Sequence, residues 1–230
     1  MATILIADDN QQILTVLERY AVEEGYQVIL AKDGQEVLEL FEQNPVSLIL
    51  LDVMMPKVDG FEVCRRIRQK STVPIILITA RGEDFERIMG LDIGADDYIV
   101  KPFSPGEVMA RTRAILRRME KYSDLSAQQV LSVDNLKIDL SSYRVTVNDN
   151  PVNLTKRAVE ILWTLAGNPQ RTFTREALLS TLWGEDYDGD VRAVDSQVKR
   201  MRVALSMESH PNWDLKTVWG VGYKFEYMGR

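Results

Sequence analysis

The chain reads as an α/β protein, with a doubly wound parallel sheet in its first half and a smaller α+β unit in its second. Three observations predict this. Four short apolar runs, Ile4–Ala7, Leu48–Leu51, Pro74–Ile78 and Tyr98–Val100, are continuous rather than alternating, the pattern of parallel strands covered on both faces. Helical stretches stand between them, and alternating strands and helices build such a sheet. Beyond residue 128 the pattern changes to short strands, three capped helices and a last hairpin.

The elements follow in order. Ile13, Leu14, Val16, Leu17, Tyr20 and Ala21 form one helical stripe after Asn10, and Val37, Leu38, Leu40 and Phe41 form a second that ends at Asn44-Pro45. Phe61, Cys64, Ile67 and Arg68 share one side of a third. Cys64 is the single cysteine, so it forms no disulfide within the chain and is expected as a small buried hydrophobe. Ser104 can cap a helix in which Pro105 takes the first position and Glu107 completes an S-x-x-E capping box. Its apolar positions Val108, Met109, Ile115, Leu116 and Met119 persist to Glu120. Lys121 to Gln128 then lose the apolar period, as inter-domain segments do. The boundaries expected are therefore 1–120, a linker over 121–128, and 129–230.

In the second half, Leu136–Leu140 and Arg144–Val147 read as strands, with Asn148-Asp149-Asn150 as a hairpin turn. Thr155 can cap a helix over Lys156–Ala166 that stops at Gly167-Asn168-Pro169. Thr174 can cap Arg175–Trp183, which stops at Gly184, and Asp190 can cap Val191 to about Ser206. Thr217–Phe225 reads as the last hairpin. His210, the only histidine, sits beside Pro211 in a loop and is expected at the surface.

A chain of 230 residues fits two domains. Residues 1–120 carry 14 Lys and Arg against 20 Asp and Glu, whereas residues 121–230 carry 14 against 14. The acidic balance argues against nonspecific polyanion binding by the whole molecule. No apolar run approaches the ~20 residues of a membrane span, and no basic segment leads into an apolar one at the start, so a cytoplasmic protein without a membrane partner is expected.

The ends of the apolar runs carry the chemistry. The first runs into Asp8-Asp9, the second into Asp52, the third into Thr79-Ala80 and the fourth into Lys101-Pro102. Ligand sites of doubly wound sheets lie beyond the strand C-termini, so three carboxylates, a hydroxyl and an ammonium converge on one pocket. Crowded carboxylates repel unless a cation sits among them, and Mg²⁺ takes oxygen ligands while keeping several waters. A carboxylate can also attack phosphorus, in a reaction whose catalysis is mostly positioning and charge neutralisation. Asp often merely ends a strand near a turn. Coincidence across four strand ends outweighs that simpler explanation.

These residues resemble the receiver domain of two-component response regulators, and the whole chain resembles the OmpR/PhoB-type, winged-helix subfamily. The resemblance rests on Asp8-Asp9, Leu51 to Pro56 with Asp59-Gly60, Thr79-Ala80, and Gly94 to Tyr98 continuing to Lys101-Pro102-Phe103, in that order and spacing. It implies a five-stranded receiver of order 2-1-3-4-5 with Asp52 as phospho-acceptor. Asp9, Asp52 and the Met54 carbonyl would hold Mg²⁺, with Asp8 helping through water. Thr79, Ala80 and Lys101 would meet the phosphoryl oxygens, and Thr79 with Tyr98 would carry the switch, the ring turning inward as the hydroxyl moves. A sensor histidine kinase is the implied phosphoryl donor.

The strand, three-helix, hairpin order of the second half resembles the subfamily's winged helix-turn-helix effector, through Arg192-Ala-Val-Asp195 and Thr217 to Phe225. Val194, Val198, Met201 and Leu205 recur at the core-facing interval of an amphipathic helix with a basic outer face. By resemblance Ser196 and Arg200 face bases in double-stranded DNA, while Arg192, Lys199, Arg202 and Thr217 face phosphates. Gln197, Trp219 and Lys224 complete the implied DNA-binding set. Gln197 stands where the family often has His, Ser196 where it often has an apolar residue, and Trp219 where some members place Arg. RNA polymerase is a further implied partner.

The family also dimerises on phosphorylation through charges that this chain carries at Arg87, Asp96, Asp97, Glu107, Arg111 and Arg118. The implied pairs across a two-fold axis are Arg87 with Glu107, Asp97 with Arg111, and Asp96 with Arg118. The function expected is a phosphorylation-switched transcriptional regulator and not an enzyme on an external substrate. Two alternatives stand beside it. An aspartate-nucleophile phosphatase of the haloacid-dehalogenase type would need a second Asp where this chain has Met54. A constitutive DNA-binding protein would use its receiver only to dimerise.

Overall fold

A computed structural model of the chain describes residues 1–80, 93–123, 129–184 and 191–229, with side chains omitted over 118–123. These residues form two compact units, Met1–Arg117 and Arg118–Arg230. In the first, β1 (Thr3–Ala7), α1 (Gln11–Glu23), β2 (Gln27–Ala31), α2 (Gly34–Gln43), β3 (Leu48–Asp52), α3 (Gly60–Arg68), β4 (Ile75–Ala80) and β5 (Asp97–Lys101) precede α4 (Pro105–Ser123). The sheet is parallel with order β2-β1-β3-β4-β5, as expected.

Register brings the strand ends together. Ala7 pairs with Leu51, Asp52 with Ile78, and Ala80 with Lys101, so four chemistry-bearing ends emerge along one edge. Ile4 to Ala7, Leu48 to Leu51, and Ile75, Ile76 and Ile78 are fully buried, which is why those runs are continuous. The edge strand β2 is only half-buried and starts with an exposed Gln27, so it lacks that signature. Side chains of Asn10, Asp33 and Asp59 cap α1, α2 and α3. Ser104 Oγ accepts from the Glu107 N–H at 3.1 Å, while the Glu107 carboxylate turns to Arg111. Cys64 is buried on α3 as expected.

The second unit opens with a four-stranded antiparallel sheet, β6 (Val130–Val133), β7 (Leu136–Asp139), β8 (Arg144–Val147) and β9 (Asn150–Val152). Asn148 and Asp149 have φ of 53° and 64°, the left-handed pair that a two-residue hairpin requires. Next come α5 (Lys156–Ala166), β10 (Thr172–Thr174), α6 (Arg175–Trp183), α7 (Arg192–Leu205), β11 (Trp213–Val218) and β12 (Gly222–Tyr227). Thr155 and Thr174 cap α5 and α6 as the sequence predicts. Asp190 lies outside the described residues, and Val191 at the start of α7 makes no side-chain capping bond.

Strand β10, like β2, is an element that no sequence pattern announces. Its three residues pair with β12, Phe173 opposite Tyr223, in a sheet of order β10-β12-β11. The approach is close enough that a Cβ on Gly222 would sit 2.0 Å from the Phe173 carbonyl oxygen, so only glycine fits. His210 corrects another expectation. It is half-buried, its ring stacked on Trp213 at 4.1 Å with Nδ1 3.0 Å from the Trp213 carbonyl oxygen. A ring partly withdrawn from water in this way is a packing group. None of the described helices is long and apolar enough to cross a membrane.

Candidate functional site

The sheet delivers Asp8 from the end of β1, Asp52 from β3, Thr79 from β4 and Lys101 from β5. Lys101 Nζ stands between two carboxylates, 2.8 Å from Asp8 Oδ2 and 3.1 Å from Asp52 Oδ1. Asp8 is fully buried and Asp52 nearly so, whereas Asp9 is exposed. One oxygen from each of Asp8, Asp9 and Asp52 lies within 4.8 Å of the others. Among the described residues, a single ammonium therefore faces three carboxylates.

That imbalance has an electrostatic consequence. Burial, then the Asp8 charge, push the Asp52 carboxyl up to about 6, against the opposing pull of Lys101. Burial works against the charge on Lys101, but its hydrogen bond to Asp8 and the attraction of Asp52 hold its ammonium above the ordinary range. A hard divalent cation fits the cluster: all donors are oxygen, and Asp9 leaves one side open for the waters such an ion keeps. Asp8 is further oriented by the Asn10 N–H, which donates to Oδ1 at 2.9 Å.

The loop after β3 is held from two sides. Gly60 donates its N–H to the Val53 carbonyl at 2.9 Å, and a Cβ there would lie 2.2 Å from the Asp52 carbonyl oxygen. Gly34 at the start of α2 backs onto the same loop, where a Cβ would meet the Val58 carbonyl oxygen at 1.9 Å. Lys57, with φ of 66°, reaches Asp33 Oδ2 at 2.6 Å. Sequence reasoning misses Asp33, Gly34 and Lys57 as supports of the acceptor loop. The signal available was the second Asp-Gly pair, Asp33-Gly34, matching Asp59-Gly60.

Met54 lies two residues past Asp52 with its side chain exposed. Thr79 is buried, its Oγ1 3.5 Å from the Ala80 carbonyl oxygen, and Ala80 is exposed. Tyr98 is buried at 7% exposure, on the strand that ends in Lys101.

On α7, Val194, Val198, Met201 and Leu205 are buried as the periodicity predicts, and Arg192 and Lys199 are exposed. Arg200 is half-buried. Two members of the expected DNA-binding set, Gln197 and Ser196, need correction, and Arg202 has internal partners. Gln197 is fully buried and accepts from Thr155 Oγ1 at 2.9 Å, so it ties α7 to α5 rather than facing outward. Ser196 is also buried, at 7% exposure, too little surface for a direct base contact without rearrangement. Arg202 donates from Nε and Nη2 to the Leu215 carbonyl at 3.0 and 2.6 Å, and from Nη2 to Thr217 Oγ1 at 2.9 Å. It straps α7 to β11, with the Thr217 hydroxyl as acceptor and Arg202 Nη1 outside these bonds. Asp195, to which the sequence assigned no role, accepts from Arg175 Nε at 2.7 Å and from Tyr223 O–H at 2.5 Å, and so joins α6, α7 and β12.

The charges expected across a dimer axis are divided. Arg87 lies outside the described residues, and the Arg118 side chain is not described. Asp97, Arg111 and Glu107 meet within one chain, Arg111 lying 3.3 Å from Asp97 and 3.0 Å from Glu107. Asp96 is corrected: it is 3% exposed, and its Oδ2 accepts from Arg68 Nη2 at 2.7 Å and from the Ile75 N–H at 3.0 Å. Arg68 also donates to the Gly94 and Val73 carbonyls at 2.7 and 2.5 Å. Asp96 is thus an internal anchor between α3, β4 and the entry to β5, not a surface charge offered to a partner.

Residues 4–113 match the response regulator receiver domain, and residues 148–225 match the C-terminal domain of transcriptional regulatory proteins. Over 228 residues the chain is 43% identical to the transcriptional regulatory protein SrrA of Staphylococcus aureus, covering 97% of this chain and 95% of that one. It is similar to the solved structure of response regulator DrrB, an OmpR/PhoB homolog of Thermotoga maritima, at 32% identity and a TM-score of 0.51, with 98% of this chain and 99% of that one covered. A RitR mutant structure is 25% identical with a TM-score of 0.77, covering 99% and 100% of the two chains.

Proposed function

Because the chain belongs to the two-component response regulators of the OmpR/PhoB type, we propose that Asp52 takes a phosphoryl group from a partner histidine kinase and that this modification drives dimerisation and binding to repeated DNA half-sites. The protein is a DNA-binding transcription regulator under phosphorylation control, not a classical enzyme. The observation that carries the reading is Lys101 Nζ poised between Asp8 and Asp52.

Asp8, Asp9, Asp52 and the Met54 carbonyl are the residues that would hold Mg²⁺, which when bound neutralises charge on the phosphoryl oxygens. The Asp52 carboxylate attacks phosphorus, the bond from phosphorus to the kinase histidine nitrogen breaks, and an acyl phosphate forms. Lys101, already beside Asp52, follows the developing oxygen charge. Thr79, with Ala80 beside it, supplies a hydroxyl that can donate to the new group, and the inward Tyr98 ring completes the switch. A groove of about 410 Å³ bounded by Ile13, Val16, Leu17, Phe103 and Pro105 opens next to Lys101, and its apolar lining suits a docking kinase helix.

Dimerisation would re-pair Asp97, Glu107 and Arg111, with Arg87, across a two-fold axis, so that two effector domains meet half-sites about one helical turn apart. The domain limits 1–120 and 129–230, a cytoplasmic location and contact with RNA polymerase belong to this proposal. Sedimentation and DNA binding with and without a phosphoryl analogue and Mg²⁺ test it. The parent should dimerise and bind DNA more tightly with the analogue, and Glu107→Arg should not dimerise unless Arg87→Glu accompanies it. Equal binding with and without the analogue would favour the constitutive alternative.

A further inference from the structure

The loop that follows Asp52 is closed at its base and turned sharply at its far end. The Val53 carbonyl accepts from the Met55 N–H at 3.2 Å and from the Gly60 N–H at 2.9 Å, so the two ends of the loop meet there. At the far end the Val58 N–H donates to the Pro56 carbonyl at 2.9 Å, and Lys57 between them has φ of 66°. A bond that closes around one residue in the left-handed region makes a γ-turn of the rare, strained kind. A lysine keeps such a conformation only where its surroundings impose it.

Asp33 supplies the tie. Lys57 Nζ lies 2.6 Å from Asp33 Oδ2, while Asp33 Oδ1 accepts from the Glu36 N–H at 2.9 Å and caps α2. An exposed ion pair ordinarily contributes little, and the Lys57 side chain is 64% exposed. The Asp33 side chain, at 13%, is held at the start of a helix and cannot follow the lysine into water. The next residue, Gly34, packs so closely on the Val58 carbonyl that a Cβ has no room. Met54, whose carbonyl is one of the oxygens proposed for Mg²⁺, lies between the closed base and this anchored turn.

Mg²⁺ demands near-ideal octahedral geometry, whereas Ca²⁺ accepts a larger and more flexible oxygen shell. A carbonyl kept in one place therefore favours Mg²⁺, and one that drifts favours it less. We infer that the Asp33–Lys57 pair is a positioning latch that holds the turn at Lys57, and through it the Met54 carbonyl, in the arrangement that prefers Mg²⁺ to Ca²⁺. This rests on the metal reading given above and names the residues that decide which divalent ion the pocket takes.

Calorimetric titration of the full chain with Mg²⁺ and, separately, with Ca²⁺ tests it, pocket binding being the heat that Asp9→Ala loses. Lys57→Met keeps the strained turn without its latch and should bind Mg²⁺ about threefold more weakly, with Ca²⁺ binding nearly unchanged. Asp33→Asn retains a helix cap and should behave in the same way. The shared sign is diagnostic, because by charge alone the loss of a cation would tighten Mg²⁺ binding and the loss of an anion would weaken it. Lys57→Gly should bind Mg²⁺ close to the parent, since glycine adopts a positive φ without support, and Asp33→Asn should add nothing in that background. The latch is overturned if Lys57→Met binds Mg²⁺ as tightly as the parent, if both ions weaken equally, or if Lys57→Gly is no better than Lys57→Met. A parent chain that gives no Asp9-dependent heat with either ion would overturn the metal reading itself, which is a separate result.

Discussion

Each unit buries charge, and one cluster in each does so in the opposite way to the other. In the second unit Arg157 and Glu160 are both 5% exposed and 2.8 Å apart. Arg157 also donates to the Leu182 carbonyl and lies 4.4 Å from the centre of the Trp183 ring, and Glu160 accepts from Tyr143 O–H at 3.3 Å. One cation meets one anion there. In the first unit Lys101 is outnumbered by Asp8, Asp9 and Asp52, and Asp52 is left with its carboxyl raised to about 6. A balanced buried pair ties α5 to α6 and has no further demand for charge. An unbalanced cluster keeps an unmet demand, which a cation and a phosphoryl group can satisfy.

The strongest test of that contrast is removal of the nucleophile. Asp52→Asn should abolish acyl-phosphate formation from acetyl phosphate or a phosphorylated kinase while leaving the fold intact, as read by phosphate-affinity gels and circular dichroism. Asp9→Ala should remove most labelling and its Mg²⁺ dependence. Label that persists on Asp52→Asn would move the acceptor elsewhere.

On the balanced side the expected effect is on stability. Arg157→Ala leaves the Glu160 carboxylate buried without its partner and should cost about 3–5 kcal/mol in urea unfolding of the second unit. Arg157→Met combined with Glu160→Leu should recover most of it, since an apolar replacement of both partners removes the stranded charge. A single variant as stable as the parent would mean that Glu160 finds water or another donor.

The pH response should separate the two clusters next. The folded-state Asp52 carboxyl at about 6 lies above its ordinary value of 3.8, so folding favours its protonated form. That contribution is present below the ordinary value and is lost as pH rises through about 6, worth roughly 3 kcal/mol at the upper limit. Metal-free protein should therefore lose stability relative to Asp52→Asn between pH 4 and pH 7, and Mg²⁺ should reverse the loss. Parallel pH profiles for the two proteins would show that Asp52 does not carry the imbalance.

The smallest effects belong to the cations of α7. Lys199→Ala should weaken binding to all DNA sequences alike and flatten the salt slope by about one unit. Arg200→Ala should instead change base preference, by roughly 1–3 kcal/mol at one position. Footprints showing a uniform loss for Arg200→Ala would make it a phosphate contact.

Much of this molecule is legible in its residues because the relevant signals are local. Continuous apolar runs mark β1, β3, β4 and β5, and hydroxyl or carboxamide residues at Asn10, Thr155 and Thr174 mark helix starts. The reactive residues at strand ends are readable for the same reason, since parallel register gathers whatever ends each strand. Strand β10 is too short to show a period, and β2 is too exposed to show a run.

What residue order alone determined is therefore the sheet, its acidic pocket and the amphipathic α7, because burial period and strand-end position are properties of neighbouring residues. Only tertiary structure decided which polar groups remain available. Asp96 is taken by Arg68 across 28 positions and Gln197 by Thr155 across 42, and Arg202 is tied in part to Thr217 across 15. A charge on a predicted outer face says nothing about the donor or acceptor that folding brings to it, and a buried polar group that finds a partner is far more favourable than one that does not. The same rule left Trp219 exposed: among the described residues of its unit no apolar surface comes to cover it.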